Sequence, residues 1–279
     1  MSKSAGHGPI WAQPEPGSRK PRFTREQIAA TALAIADGEG FDAVSMRRVA
    51  AELDAGTMTL YSYVRTKDDL LALMHDAIMA EVLVPPDELP PGWRPALTEI
   101  ARRTRAALLR HPWSLASLQE AQPGPNAMRR FEQYLAVLAD TGLDTATKFD
   151  LLTLVNSYVF GNAVITGESL ARARSAEADP ELVKAMMEFG LAQLGSGDFP
   201  HTAELFARIS PDAAGESGGS DAVGGSDAAG ETSGSGTSGE SGGPPLAEKG
   251  LNEQFERGLQ ALFDGATVRM HLPGPTAKA

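Results

Sequence analysis

The sequence of 279 residues predicts an all-α protein. Apolar residues recur at three- and four-residue spacing in one segment after another, which is the spacing of a helix face. Helix-capping residues stand in front of several of these segments. The sequence contains no β-hairpin pattern and no alternating strand run of useful length. With 42% hydrophobic residues, the chain can bury one or two cores.

The first predicted helix follows a Pro-rich N-terminal arm, residues 1–22, which we expect to be disordered. Thr24 has the position of an N-cap, and Gln27 three residues later completes a capping-box spacing. Gly38 and Gly40 end the helix. The apolar stripe of this helix consists of Ile28, Ala32, Leu33, Ile35 and Ala36.

Two short helical patterns then lie back to back between residues 45 and 67. Ser45 caps the first, and a short turn separates it from the second, because Asp54 and Gly56 tolerate unusual backbone angles. The apolar positions of the pair are Met46, Val49, Ala50, Leu53, Leu60 and Val64. This pattern predicts a helix-turn-helix, whose second helix enters the major groove of DNA. The alternative is a simple helix pair in an all-α core, with its Tyr and Arg side chains in solvent.

Helical patterns continue through most of the remaining chain. Thr66 caps a fourth helix that runs to about residue 83 and ends before Pro85-Pro86. After a Pro-rich break, we expect helices at 94–110, 112–121, 125–140, 144–172, 180–194 and 200–209. These boundaries define an N-terminal domain at 23–84, which includes the linking fourth helix, and a helical body at 85–209.

The segment at 210–247 differs from the rest in composition. It holds eleven Gly, eight Ser, six acidic residues and no Lys or Arg, so we expect a disordered tether with ends about 34 Å apart. Helical patterning resumes at 248–267, where Leu251, Phe255 and Leu259 share an apolar face. An isolated helix of this length is marginally stable in water, so it is expected to dock onto the body. A disordered tail is predicted at 268–279.

Two stretches resemble the tetracycline-repressor (TetR) family of transcriptional regulators: FTREQIAATALAIADGEGF at 23–41 and TLYSYVRTKDDLL at 59–71. A third, FERGLQALFDG at 255–265, is similar to the last helix of the family's ligand-binding domain. The resemblance implies a three-helix helix-turn-helix DNA-binding domain followed by a helical ligand-binding and dimerisation domain. It also implies a homodimer that pairs through 144–172 and 250–265. Such a dimer would bind double-stranded DNA at a palindromic operator, repress transcription, and leave the operator when a small-molecule effector binds.

The resemblance also implies which side chains touch DNA. Base contacts are expected from Arg47, Thr57, Met58 and Thr59. Phosphate contacts are expected from Ser45, Tyr61, Tyr63 and Lys67, and Arg48 belongs to the same predicted surface. The sequence departs from the family pattern at two positions. Asp54 stands where a turn glycine is usual, and Val64 replaces a more common Phe.

Charge is distributed unevenly along the chain. The whole chain carries a formal charge of −11, but residues 1–67 alone carry +2. A phosphate group responds mainly to charges within about 8 Å at physiological salt, so the local charge is the relevant one. The basic residues expected near DNA are Arg19, Lys20, Arg22, Arg25, Arg47, Arg48, Arg65 and Lys67. The acidic remainder would oppose non-specific DNA binding.

The predicted effector pocket lies in the helical body. The expected lining residues are His111, Trp113, Phe131, Tyr134, Asn156, Phe160, Asn162, Met186 and Phe189. Core packing or a dimer contact is an alternative for every one of them. Asn156 and Asn162 are the better candidates, because a buried amide needs hydrogen-bond partners that a ligand could supply. An apolar or aromatic drug-like molecule or secondary metabolite fits this set. The sequence shows no convincing ligand set for a magnesium-bound drug.

Other function classes find little support in the sequence. The absence of cysteine excludes disulfides and Cys-ligated metals, and the five histidines lack close metal-ligand spacing. GSGTSG at 234–239 spells a dinucleotide-binding pattern but lacks the flanking strand and helix. We therefore expect no enzyme activity, no cofactor and no metal, and a cytoplasmic location. Two alternatives are a regulator of the same fold controlled by a protein partner, and a helical ligand carrier or enzyme.

Overall fold

The structure is a computed structural model that describes residues 8–13, 22–117, 122–209 and 248–273. These residues form helices and connecting turns, with no strand among them, which confirms the all-α prediction. The α-helices are α1 (Arg25–Glu39), α2 (Met46–Glu52), α3 (Thr57–Tyr63), α4 (Lys67–Val82), α5 (Trp93–Arg110), α6 (Ser114–Ser117), α7 (Pro125–Val137), α8 (Thr145–Ala178), α9 (Pro180–Gly195), α10 (Pro200–Ile209) and α11 (Glu248–Arg269).

Several helix ends differ from the predicted ones. Helix α6 begins at Ser114 where residue 112 was predicted, and α11 ends at Arg269 where residue 267 was predicted. Helix α7 ends at Val137, and a short 3-10 turn at Ala139–Thr141 follows it. Helix α8 continues six residues beyond the predicted end at 172, to Ala178. The extension is rich in Ala, Arg and Glu, which are strong helix formers. The helix then stops before Asp179-Pro180, since a residue before proline disfavours the helical conformation.

The described residues fall into two compact units. The first contains the residues up to Glu168 and those from Asn252 onward, and the second contains those from Ser169 to Leu251. This division differs from the expected one, in which residues 85–209 form a single body. The predicted tether at 210–247 lies outside the described residues.

One hydrophobic core of the first unit lies between α1, α2, α3 and α4. Ile28, Val49, Val64 and Ile78 are fully buried in it. The predicted capping box is present: the Thr24 hydroxyl accepts a hydrogen bond from the Gln27 backbone N–H, and the Gln27 side chain accepts one from the Thr24 N–H. The local sequence therefore starts the first helix as predicted.

Part of the predicted N-terminal arm belongs to this core, which corrects the expectation of disorder for residues 1–22. Ile10 begins a short 3-10 helix and is fully buried. The guanidinium of Arg25 donates from Nη1 to the backbone carbonyls of Ile10 at 2.9 Å and Gln13 at 3.1 Å. Residues 1–7 and 14–21 lie outside the described part.

A second core of the first unit lies between α5, α7, α8 and α11. From α11, Phe255, Leu259 and Phe263 are buried, and the Trp93 ring meets the Phe263 ring edge-on at 5.5 Å. The helix after the tether thus packs on the body of its own chain. Leu272 is also buried, and the Trp93 indole N–H donates to the carbonyl of Pro273. This corrects the predicted disorder at 268–279 for the residues up to 273.

Helices α9 and α10 of the second unit leave many apolar side chains exposed. They include Leu182, Met186, Met187, Phe189, Leu191, Leu205 and Phe206. Among the described residues, none of the helices combines the length and the apolar character that a bilayer span requires.

Candidate functional site

The turn between α2 and α3 is closed by two backbone hydrogen bonds. The Ala55 N–H donates to the Ala50 carbonyl at 2.8 Å, and the Asp54 N–H donates to the Ala51 carbonyl at 3.1 Å. This is the Schellman pattern, which places its central residue in the left-handed region. Asp54 accordingly has a φ of +48°. The departure from the turn glycine therefore leaves the geometry of the turn intact.

One face of α3 is exposed to solvent. At 100° per residue, Met58, Tyr61 and Ser62 fall on one side of the helix, whereas Leu60 and Val64 fall on the opposite, buried side. Met58 is 81% exposed and Tyr61 is 42% exposed. Two of the predicted base- or phosphate-contacting side chains thus share an open face. Ser62 lies on it as well, and the sequence reasoning did not include it.

Arg47 is exposed on α2 next to this helix. Its side chain makes no hydrogen bond or ion pair with any residue in the described part of the chain. Thr57 and Thr59 are partly exposed, and Lys67 at the start of α4 is exposed, with its ammonium group 5.1 Å from the centre of the Phe41 ring. The Ser45 hydroxyl accepts from the Arg48 backbone N–H at 3.1 Å, so it caps α2.

Two members of the predicted DNA-contacting set have other partners in the structure. Tyr63 is only 6% exposed, and its ring packs edge-on against Phe23 at 6.4 Å. Its ring therefore belongs to the core, and the expected contact of its hydroxyl with a phosphate stays a prediction. Arg48 donates to Glu39 at 2.6 Å and to Glu52 at 2.7 Å, and these two carboxylates raise the pKa of its guanidinium. Since these two ion pairs already neutralise its charge, Arg48 can stabilise a bound phosphate less than Arg47 can.

The basic cluster before α1 also differs from the prediction. Arg25 is 7% exposed, and its Nε donates to the Tyr63 carbonyl at 3.4 Å, in addition to the two carbonyls named above. It therefore ties the N-terminal segment and α3 to α1. Arg22 donates to the Asp54 carbonyl across the turn. Arg19 and Lys20 lie outside the described residues.

His111 and Trp113 are part of a junction between the N-terminal helices and the body. The Asp37 carboxylate of α1 lies 2.8 Å from His111 Nδ1 and accepts from the Trp113 indole N–H at 2.8 Å. His111 Nε2 lies 3.2 Å from Glu81 of α4, and the Trp113 ring stacks on the Phe41 ring at 5.3 Å. The ring nitrogens of both residues therefore have partners within the protein, and their expected place in the lining of an effector pocket stays a prediction. Each of them joins elements far apart in the sequence.

A polar cluster centred on Arg130 lies within the second core. Its Nη2 donates to the Tyr134 hydroxyl at 2.7 Å, to the Asn156 side-chain carbonyl at 2.7 Å and, more weakly, to the Thr104 hydroxyl at 3.5 Å. The Tyr134 hydroxyl lies 3.2 Å from the same Asn156 oxygen. Burial raises the pKa of Tyr134, so its hydroxyl keeps the proton that it donates to Asn156.

A second polar cluster surrounds the buried Arg105 of α5. Its guanidinium donates to Asn162 at 2.6 Å, to Asn252 at 2.6 Å and to Thr166 at 3.3 Å, and it lies 4.8 Å from the centre of the Phe255 ring. Arg105 therefore joins α5, α8 and α11. Asn162, which was predicted to face an effector, accepts a hydrogen bond from this arginine.

The predicted lining residues are thus divided among several places. Tyr134, Asn156 and Asn162 belong to the arginine clusters, and Phe131 and Phe160 are partly buried beside the second core. Met186 and Phe189 are about two-thirds exposed on α9, which belongs to the second unit.

The sequence reasoning missed Arg105 and Arg130. A signal for both is present in the sequence, since each stands on the apolar stripe of its helix. Arg105 follows Ala101 by four residues, and Arg130 precedes Tyr134 by four.

Helix α7 receives its N-terminal cap from another helix. Gly124 precedes it without a capping side chain, and the Asp76 carboxylate of α4 accepts from the backbone N–H groups of Asn126 at 2.8 Å and Ala127 at 3.2 Å. Burial raises the pKa of Asp76, and these hydrogen bonds oppose that shift. Because α4 also belongs to the first core, Asp76 joins the N-terminal helices directly to the helix that carries Arg130.

The part of the chain that the structure describes contains no group of three or more His, Asp or Glu side chains placed to hold a metal ion. The polar clusters described above consist of arginines, amides and hydroxyl groups. Their chemistry is that of hydrogen-bonded recognition.

Two family models match the sequence. Residues 28–74 match the model described as bacterial regulatory proteins, tetR family. Residues 85–222 match the tetracyclin repressor-like C-terminal domain. The two matches together cover the helix-turn-helix and the body that follows it.

Curated relatives are also transcriptional regulators by name. The chain is 38% identical over 199 residues to the HTH-type transcriptional repressor DrrR1 of Streptomyces coeruleorubidus, which covers 70% of this chain and 72% of the relative. It is 38% identical over 168 residues to an HTH-type transcriptional regulator of Saccharopolyspora erythraea, covering 59% and 70%.

Solved structures share the fold. Apo ActR from Streptomyces coelicolor superposes with a TM-score of 0.60 at 25% identity, covering 90% of this chain and 97% of that one. ActR in complex with (S)-DNPA superposes with a TM-score of 0.58 at 26% identity, covering 89% and 98%. From the helix-turn-helix, the two family models and a relative matched over most of its length, the chain belongs to the TetR family of bacterial transcriptional regulators.

Proposed function

We propose that the protein is a homodimeric transcriptional repressor that binds a palindromic operator and leaves it when a small-molecule effector binds. Two observations carry the DNA-binding part: the open face of α3, and the exposed Arg47 on α2, the helix before it. Met58 and Tyr61 extend into solvent, and the Arg47 guanidinium is exposed without a partner among the described residues. Large apolar and cationic side chains left open in this way are suited to a groove with base edges and phosphates.

Arg47 is the residue to test for base reading. A guanidinium can donate two hydrogen bonds to one guanine, which contributes about 1–3 kcal/mol of discrimination. Arg47→Ala should therefore weaken binding to the operator by roughly tenfold or more, while binding to unrelated DNA changes little. Arg208→Ala is the matched control, because Arg208 is 76% exposed on α10 and lies outside the helix-turn-helix.

Gel-shift titrations of both variants would use the DNA upstream of the protein's own gene and a scrambled duplex of equal length. Equal losses on the two duplexes would contradict a base-reading role for Arg47. Protection of two half-sites about 34–36 Å apart, or a multiple of that distance, would support binding by a dimer.

The proposed dimer uses exposed strips of α8 and α11. On α8, Leu154 is 43% exposed and Ile165 is 63% exposed, and Gly161 lies between them on the same side. On α11, Val268 is 71% exposed and Gly265 lies on its side of the helix. Small residues beside exposed apolar ones let two helices approach closely, which supports pairing of these helices with those of a second copy.

Leu154→Glu should weaken this dimer, because burying the new carboxylate without a partner is costly. Met128→Glu is the control, since Met128 is 62% exposed on α7, outside the proposed interface. Sedimentation equilibrium at micromolar concentration should give a dimer for the wild type and for the control, and a larger monomer fraction for Leu154→Glu. A monomeric wild type would contradict the proposal.

Effector control is supported by the link between the two cores. Asp76 connects α4 to the start of α7, and α7 carries the polar cluster around Arg130. A ligand that moves α7 would thus act on a helix of the DNA-binding domain. ActR, which shares the fold, has been solved in complex with the small molecule (S)-DNPA. A ligand changes DNA affinity only if it binds the two states differently, typically by about 1–3 kcal/mol.

Thermal-shift screening followed by gel shifts tests the effector part. A compound that both stabilises the protein and releases the operator would support it. A library of aromatic metabolites in which every stabilising compound leaves the operator complex intact would contradict it.

A further inference from the structure

We propose that Arg130 and Asn156 anchor a carboxylate group of the small molecule that this protein binds. The inference rests on the proposed effector function and names the chemical class of the ligand: an organic acid whose carboxylate meets the donors of α7 and α8. The relevant observations are unused hydrogen-bond donors, a positive charge without a carboxylate partner, and the position of both residues in the second core.

The donors of Arg130 are only partly used. A guanidinium has five N–H groups, and all three hydrogen bonds of Arg130 come from Nη2. Nε is buried without a hydrogen-bond partner. Nη1 makes no hydrogen bond with any residue that the structure describes, so it is the group available to a ligand oxygen.

Asn156 adds donors at the same place. Its side-chain carbonyl is held by two donors, Nη2 of Arg130 and the hydroxyl of Tyr134, and this fixes the orientation of the amide. The amide nitrogen therefore points its two N–H groups elsewhere, and they have no partner among the described residues. The site offers N–H groups from both residues, and what it lacks is an acceptor.

The positive charge of Arg130 also favours binding of an anion. Its polar partners Thr104, Tyr134 and Asn156 are neutral, and within the described ranges no Asp or Glu lies within 4 Å of its guanidinium. The Tyr134 ring, 4.8 Å from the guanidinium carbon, offers some compensation through its π-face. A half-buried cation without an ion pair is costly to hold, and a bound carboxylate would remove that cost.

Arg103, which directly precedes Thr104 on α5, shows the contrast. Its guanidinium is paired with both Glu88 and Glu99. Both arginines are partly buried, so the body of the protein provides acids for Arg103 and none, in the described part, for Arg130. This difference indicates that the partner of Arg130 comes from outside the chain.

The test compares acids with amides of the same size. Isothermal titration of the full-length protein, without DNA, would use benzoate and benzamide, 2-naphthoate and 2-naphthamide, and anthracene-2-carboxylate with its carboxamide. We expect at least one acid to bind about tenfold more tightly than its amide, because one charge-assisted hydrogen bond contributes about that much. Arg130→Met should abolish this preference.

Arg129→Met is the matched control, because Arg129 directly precedes Arg130 in the chain and is exposed. It should keep the preference for the acid. If Arg130→Met fails to fold by circular dichroism, Arg130→Lys replaces it. Lysine keeps the charge but cannot reproduce the planar donors, so the acid should bind more weakly while the amide is unaffected.

The proposal is overturned if no acid binds more tightly than its amide, or if the preference persists without Arg130. The proposed repressor function can fail separately. A protein that selects acids but holds its operator regardless would support the anchor and contradict effector control. Release of the operator by a neutral compound, with no preference for acids, would support effector control and overturn the anchor.

Discussion

The packing of α11 on α8 can be tested at Gly258. A Cβ atom added there would lie 2.1 Å from the Tyr158 hydroxyl oxygen, 2.8 Å from its Cζ and 3.1 Å from its Cε2. The Tyr158 hydroxyl donates to the Phe255 carbonyl at 2.9 Å, and its ring stacks on the Phe255 ring at 5.6 Å. Gly258→Ala therefore forces the Tyr158 ring to move by more than 1 Å to reach ordinary contact distances of at least 3.4 Å.

The expected size of the effect follows from three contributions. Overpacking of this kind costs typically about 1–3 kcal/mol. Loss of the hydrogen bond from Tyr158 adds about 1 kcal/mol. Alanine in place of glycine inside a helix stabilises the helix by about 1 kcal/mol, which opposes the other two contributions. The net expectation is that Gly258→Ala lowers the free energy of unfolding by about 1–3 kcal/mol.

The control is Gly38→Ala in α1. Gly38 is also helical and exposed, but a Cβ atom there meets nothing within 4 Å. Its substitution should leave stability unchanged or raise it by up to about 1 kcal/mol. Urea denaturation at one fixed protein concentration measures both, because the stability of a dimer depends on concentration.

A second variant separates the clash from other effects. Tyr158→Phe removes the nearest atom, so the double variant with Gly258→Ala should lose less stability than the sum of the two single changes. If Gly258→Ala is as stable as Gly38→Ala, α11 does not pack on α8 as described, and the reasoning is refuted.

Two further predictions concern the helix-turn-helix and α4. Asp54 has a φ of +48°, a conformation that only glycine adopts freely. Asp54→Gly should therefore raise the free energy of unfolding by up to about 1 kcal/mol, and Asp54→Ala should lower it. Thermal melts that rank the two variants the other way would contradict the turn geometry. Burial lowers the pKa of His75 to about 4 from 6.5, so below pH 6.5 the unfolded chain binds a proton that the folded chain does not. The His75 contribution to stability should thus fall by about 3 kcal/mol between pH 6.5 and 4, and urea titrations of His75→Leu at pH 7, 6 and 5 should show a shallower loss than the wild type; equal slopes would show that His75 is not the group responsible.

The sequence predicted the local features of the DNA-binding surface well. The caps at Thr24, Ser45 and Thr66 are present, and the apolar positions of the helix pair are buried or partly buried. Periodicity also separates Met58 and Tyr61 from the core. It could not show that Tyr63 packs against Phe23, because that contact depends on how the segment before the first helix meets the third helix. Which exposed residues touch DNA stays a prediction.

The body was predicted less completely for a physical reason. Helical spacing shows which side of a helix is apolar, but polar residues on that side acquire partners only when helices pack. His111 and Trp113 meet Asp37, more than 70 residues earlier in the chain, and therefore join two parts of the molecule. Ile10 lies in the core, and its backbone carbonyl accepts a hydrogen bond from the Arg25 guanidinium, 15 residues further along the chain.

By itself, the sequence determined the all-α class and the helix-turn-helix, because spacing, caps and turn residues act within a few positions of the chain. Only the tertiary structure shows which arginine side chains are paired with acidic groups of the protein. It pairs Arg48 with two acids, leaves Arg47 open, and surrounds Arg130 with neutral groups. Each of these outcomes depends on side chains from separate helices meeting at hydrogen-bond distance, and a one-dimensional pattern does not contain such distances.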